Sequence, residues 1–363
     1  MRQGRWFVWL VLGCWLSGCT AFVVRQIEHP GHASSRSADG FLSLAGFQRH
    51  IMRTPDGVRI AYWIAPPRAY RIKDEYRMQR KGKRASLSLN VGFAGDPARA
   101  PLLSPKGSVL LLHPWGMSGA AMMMWGIHFA AAGYQVVMPD LRSQGGSSDA
   151  AVGYGPREAG DIIELVRDLQ AKRQLPGPLY VLGVSYGATV ALFAAPQLPD
   201  LRGVIALEPY ANAAAVIRRA PGSDLFGYRW LARWITPKEV DAAIARASRK
   251  LDVDLERIGP GEALARTPSC TLILRGSHDV LISGKALAAL SRRSPRVSYV
   301  EVPGEGHVTL PMRTAWLAPS LLGWMQALPD AGGRCPPFSL PSAAQTVPSQ
   351  GSARAAPDAQ PRR

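Results

Sequence analysis

Apolar positions along the chain fall into short continuous runs, separated by longer stretches with helical patterning. Residues 108–112 read Ser-Val-Leu-Leu-Leu and residues 179–182 read Leu-Tyr-Val-Leu; 134–138, 201–207, 270–274 and 297–302 are similar. Runs this short and this apolar suit strands buried on both faces of a sheet. Between and after them, 117–132, 156–173, 188–195 and 310–328 read as helices. Ile162, Leu165, Val166 and Leu169 share one side of the second, and Leu317, Leu321, Trp324 and Leu328 keep helical spacing in the last. Such alternation predicts an α/β fold, a mostly parallel central sheet flanked by helices. Two earlier runs, 47–53 and 58–65, flank the turn sequence Pro55-Asp56-Gly57 and predict a hairpin at the start of the sheet.

The alternation breaks in four places. Residues 19–46 show little periodicity and read as a tether. Residues 68–105 form a basic insertion: eight Lys and Arg lie between Arg68 and Arg84 against only Asp74 and Glu75, which reads as a solvated loop or a segment lying on anionic lipid headgroups. Residues 209–268 hold Tyr210, Phe226, Tyr228, Trp230 and Trp234 with helix-like runs such as 239–251. They predict a helical cap over the strand ends, its aromatic residues either lining an acyl or aryl pocket or packing the cap onto the core. Residues 329–363 are rich in Pro, Ser, Ala and Gln and read as a disordered tail.

Charge and cysteine usage sharpen this picture at the amino terminus. Lys plus Arg number 43 against 26 Asp plus Glu, a net charge of +17. That excess points to an anionic membrane surface or nucleic acid, or to an arginine-rich surface without a partner. No nucleic-acid motif, zinc-ligand spacing or phosphate loop is present, so no nucleic-acid partner, metal or cofactor is expected. Of the four cysteines, Cys14 and Cys19 lie in the first 19 residues, which leaves Cys270 and Cys335 and no disulfide framework to read. Residues 1–18 have a basic start, an apolar core at 6–16 too short to span a bilayer comfortably, and the ending Leu16-Ser17-Gly18-Cys19. This ending resembles the lipobox of bacterial lipoproteins. The resemblance implies a lipoprotein signal peptide cut before Cys19, with Cys19 lipidated, and Cys14 a weaker second match. Thr20 after it implies the outer membrane of a two-membrane envelope, facing the periplasm.

The chemistry centres on Gly183-Val184-Ser185-Tyr186-Gly187, between an apolar strand and an apolar helix. A serine on so sharp a turn projects its hydroxyl above the sheet edge, and the flanking glycines let strand and helix pack closely. The helix start behind it favours developing negative charge. His113, Asp140, Asp279 and His307 also follow predicted strands, where open α/β sheets bind ligands. Together with His113-Pro114-Trp115-Gly116, Pro139-Asp140-Leu141-Arg142, Gly276-Ser277-His278-Asp279 and Gly304-Glu305-Gly306-His307, the elbow makes residues 47–328 resemble an α/β-hydrolase.

That resemblance implies Ser185 as nucleophile, His307 as base and Asp279 as acid, with Glu208 the rival acid because it directly follows the strand 201–207. It places the oxyanion donors on the backbone N–H of Tyr186 and of Trp115 or Gly116, because Pro114 has no N–H. The expected activity is a lipid-anchored serine esterase acting on a small-molecule or lipid ester through an acyl-enzyme, without a cofactor. Thioesterase, amidase and acyltransferase are alternatives on the same fold, and a non-catalytic envelope lipoprotein is another. Dehalogenase chemistry needs a carboxylate at the elbow, and here it is serine.

Overall fold

The computed structural model describes residues 20–33, 35–81, 84–223, 235–329 and 333–341. The leader, Cys14, Cys19 and the cap residues Phe226, Tyr228, Trp230 and Trp234 lie outside the described residues. Among the described residues no helix is long and apolar enough to cross a membrane.

Eight strands form one sheet: β1 (Gln48–Arg53), β2 (Arg59–Ala65), β5 (Ser108–Leu112), β6 (Gln135–Pro139), β7 (Leu179–Val184), β8 (Leu201–Leu207), β9 (Cys270–Gly276) and β10 (Val297–Val302). Their order is β1-β2-β6-β5-β7-β8-β9-β10. The first two pairings are antiparallel and the rest parallel. Successive side chains of a strand point to opposite faces, so Leu110 and Leu112 enter one core while Val109 and Leu111 enter the other. Helices α4 (Pro156–Ala171) and α5 (Tyr186–Ala194) cover the first face with Ile162, Leu165, Val190 and Leu192. Helices α3 (Met123–Ala131) and α10 (Thr314–Gln326) cover the second with Trp125, Phe129, Leu317 and Trp324. Burial on both faces is the reason β5, β7 and β9 read as largely apolar runs.

The structure corrects three expectations. The tether is structured: residues 20–28 form helix α1, and α2 (Arg36–Leu44) follows. Val23, Val24 and Ile27 recur at helical spacing and are buried in the first core. Within the basic insertion, β3 (Ile72–Lys81) and β4 (Arg84–Phe93) pair as an antiparallel hairpin apart from the main sheet. The alternation Leu87, Leu89, Val91, Phe93 carries that strand signal in a segment read for its charge. Part of the tail is tied down, with Cys335 bonded to Cys270 and Phe338 and Leu340 packed against the second core. Two remaining cysteines cannot by themselves say whether they meet. After β8 come α6 (Ala213–Arg219) and α7 (Pro237–Leu251), which pack on each other, and α8 (Gly261–Arg266), which packs on α5; α9 (Gly284–Ser291) lies between β9 and β10.

Candidate active site

Ser185 sits between β7 and α5 with φ +53°, a left-handed conformation rare for a residue with a side chain. Its N–H donates to Leu207 O at 2.7 Å, which ties the turn to β8. The flanking glycines are sterically required. A Cβ on Gly183 would lie 2.3 Å from Gly187 O, and one on Gly187 would lie 2.3 Å from Leu112 O. The elbow therefore forms where small residues let α5 start directly behind the strand.

The loops after β9 and β10 bring the other groups to this serine. His307 Nε2 lies 2.9 Å from Ser185 Oγ, and His307 Nδ1 lies 2.8 Å from Asp279 Oδ2. With Nδ1 carrying the proton, Nε2 is left to accept from the serine hydroxyl. Asp279 is buried; its Oδ1 accepts the N–H groups of Leu281 and Ile282 at 2.7 and 2.9 Å. Burial opposes its ionisation, but the hydrogen bonds from His307 and from Glu208 hold it down to about 2. Arg275, unnoticed in the sequence, clamps this loop through Asp279 O at 2.6 Å and Ile282 O at 2.9 Å. Its place at the end of an apolar strand, four residues before Asp279, was the available signal.

Glu208 is fully buried beside the same carboxylate. Its Oε1 accepts Gly276 N–H at 2.7 Å, while Oε2 has no donor. Burial, and then the hydrogen bond and charge of Asp279, push it up to about 10. Glu208, Asp279 and His307 each bring a ligand-type atom within 4.8 Å of the others. Both ring nitrogens of His307 already face hydrogen-bonding partners, so the group reads as a proton-linked network.

The loop after β5 faces Ser185 from the other side. His113 is buried, its Nδ1 near Pro114 O at 2.7 Å and its Nε2 accepting Leu141 N–H at 2.9 Å. Burial lowers its basicity, which suits a neutral ring bracing two loops. Gly116 N–H donates to Gln144 Oε1 at 2.7 Å. The Trp115 ring packs on Tyr186 and Tyr154 at centroid distances of 4.7 and 5.1 Å. Asp140 accepts from Gly119 and Gly146 N–H and from Arg49, and Arg142 pairs with Asp161 through two bonds of 2.6 and 2.7 Å, so both organise the loop after β6. His278 is exposed.

A cavity of about 450 Å³ opens at Ser185 and His307. Trp115, Tyr186, Tyr210, Val216 and Ile217 line it from the sheet and cap. Phe22, Val23, Gln26 and Ile27 of α1 form a further wall. Reading 19–46 as a tether missed this wall; the spacing of Phe22, Val23 and Ile27 would have found it.

Residues 109–319 match the alpha/beta hydrolase family. The chain belongs to that family. It is 29% identical to a 2-(acetamidomethylene)succinate hydrolase of Mesorhizobium japonicum, across 48% of this chain and 72% of that protein. Among solved structures, an esterase of Pyrococcus furiosus superposes with TM-score 0.55 at 17% identity, covering 82% of this chain and 94% of the esterase. An E-2-(acetamidomethylene)succinate hydrolase superposes with TM-score 0.52 at 19% identity, covering 77% and 100%. At such identities these superpositions establish the fold. The protein is an α/β hydrolase, and its serine, imidazole and carboxylate stand in the arrangement that acyl transfer requires.

Proposed function

We propose that this α/β hydrolase is a serine esterase of the cell envelope, lipid-anchored through Cys19, which cleaves esters with an apolar acyl group. The observation that carries the reading is the line Asp279–His307–Ser185, with steps of 2.8 and 2.9 Å, ending on a largely apolar cavity. In the reaction His307 Nε2 takes the hydroxyl proton as Ser185 Oγ attacks the ester carbonyl. Asp279 stabilises the imidazolium that forms. Tyr186 N–H and Trp115 N–H receive the oxyanion; Gly116 N–H is engaged with Gln144, which favours Trp115 as the loop donor. His307 then protonates the leaving alcohol, and water, activated by the same imidazole, releases the acid.

The cavity supports an uncharged acyl group. Its described lining residues include no Lys or Arg, whereas the curated relative is named for a succinate, a substrate with carboxylates. An amide cleaved by the same machinery is the alternative that this relative's name favours. Two observations support the envelope location. Cys270 and Cys335 form a disulfide, a bond that persists in oxidising compartments. Residues 20–28 of helix α1 follow Cys19 in the chain and wall the cavity, so an anchor at Cys19 would hold the site close to the lipid surface.

One experiment tests the reading. Membrane and soluble fractions of cells expressing the protein are labelled with a fluorophosphonate, a reagent that traps activated serines. The wild type is expected to label in the membrane fraction. Ser185→Ala should lose the label, and Cys19→Ala should keep it but move to the soluble fraction. Full labelling of Ser185→Ala would overturn the nucleophile, and unchanged fractionation of Cys19→Ala would overturn the anchor.

A further inference from the structure

Glu208 has no role in the reaction as written, yet it is fully buried beside Asp279. It directly follows β8 in a left-handed conformation, φ +57°, and its N–H donates to Leu274 O at 2.8 Å. Strain of this kind in a residue with a side chain persists where the surroundings over-determine it, often at functional sites. The side chain is fully buried, one oxygen held by Gly276 N–H and the other without a donor.

The neighbours decide what that second oxygen does. Asp279, on the loop after β9, already accepts from His307, Leu281 and Ile282, which fixes it as a carboxylate. Two buried carboxylates this close do not both ionise. The positive group nearest to hand, Arg275, directs its guanidinium to Asp279 O, Ile282 O and Glu301, and so does not pair with Glu208. His307, from the loop after β10, turns its two nitrogens to Asp279 and Ser185. A proton on Glu208 Oε2 satisfies every one of these constraints: it gives the orphaned oxygen a bond and Asp279 a further donor.

We propose that Glu208 is the positioning acid of this site: it stays protonated at neutral pH and donates a hydrogen bond to Asp279, locking the carboxylate that orients His307. This rests on the Ser185–His307–Asp279 reading for its kinetic consequence but not for its protonation state. The acid and carboxylate together carry a single negative charge. That charge is enough to stabilise the imidazolium, and the Glu208 bond keeps Oδ2 aimed at Nδ1. The upward push on Glu208 described above agrees with this assignment.

The test uses the full chain with Glu208→Gln, which keeps a donor without charge, and Glu208→Leu, which keeps the bulk without a donor. Glu208→Leu should lower kcat about tenfold or more with KM little changed, the effect of losing a hydrogen bond to a charged group. Glu208→Gln should restore most of that loss and leave the acid limb of the kcat/KM profile in place, because no charge has been removed. In infrared difference spectra at neutral pH, the wild type should show the carbonyl stretch of a protonated carboxylic acid that is missing in Glu208→Gln. An ionised Glu208 would give no such band. Its replacement by Gln would also shift the acid limb down by about one unit or more. Either result overturns the proposal. If the band is present but Glu208→Leu retains full kcat, Glu208 is a protonated structural acid and the positioning role falls. Loss of fluorophosphonate labelling by Ser185 is read separately, so failure of the triad itself would be distinguishable.

Discussion

At the scale of single residues, the site is an arrangement of proton positions. The shifts of Asp279 and Glu208 run in opposite directions, and their signs make different demands on stability. Asp279 is lowered from 3.8 to about 2, so the native state binds fewer protons than the unfolded chain in that interval. Its contribution is full above about pH 4 and is lost as pH falls towards 2. Glu208 is raised from 4.5 to about 10, so its contribution is full below the unfolded value and is lost as pH rises towards the folded one. Melting temperatures measured across pH should therefore show Glu208→Gln gaining on the wild type between pH 5 and 8, with little difference near pH 4. Asp279→Asn should flatten the decline below pH 4. The same Asp279→Asn change should reduce kcat on the order of a thousandfold or more, because the imidazole loses the partner that fixes its tautomer. Near-normal turnover in Asp279→Asn would move the acid's role elsewhere.

At the scale of elements, α1 joins the core to the wall of the cavity at Ser185. Its buried face joins the core through Val23, Val24 and Ile27, and Ile27 O accepts the Tyr154 hydroxyl at 2.9 Å. Phe22 packs against that core while only partly buried, and it borders the cavity that opens at Ser185. Phe22→Ala should therefore reduce kcat/KM for long-chain esters by about tenfold, the transfer value of a half-buried aromatic ring, and change acetate ester turnover far less. Kinetics across a series of acyl lengths would check this. An equal loss at every length would mean that α1 supports the fold without selecting the substrate.

At the scale of the whole molecule, the disulfide ties two distant parts of the chain at the end of β9 away from the chemistry. Cys270 opens β9, and Asp279 follows the opposite end of that seven-residue strand. The bond closes a loop with a sequence separation of 65 residues. In the chain-entropy account such a crosslink stabilises by about 4 kcal/mol, and measured values are commonly about 2–4 kcal/mol. Cys335→Ser should thus lower the denaturant midpoint by a corresponding amount. Turnover of a soluble ester at 25 °C should be unaffected, because the site stands on the far ends of the strands. A matching loss of turnover without unfolding would show that the crosslink reaches the site.

Local chemistry was enough to predict the strands and the elbow, while the roles of Asp279 and His307 came from the family resemblance. Strands buried on both faces read as continuous apolar runs, and β8 has the predicted bounds, as does the partly exposed edge strand β10. An elbow between strand and helix needs glycines where backbone meets backbone, so Gly183 and Gly187 announce Ser185 before any coordinates do. Other features lie in contacts between residues far apart in sequence. Whether 21–28 was a tether or a wall depended on a core more than 100 residues away, since a few apolar positions fold only against a surface that accepts them. Cys270 and Cys335 paired because the chain returns across the sheet, which no spacing of two cysteines encodes. Between Asp279 and Glu208 the sequence left a choice of acid. Tertiary structure brought both to one place, with Asp279 facing His307 and Glu208 facing Asp279. The ionisation of a buried carboxyl is set by neighbours within a few ångströms, and only the fold determines which residues those are.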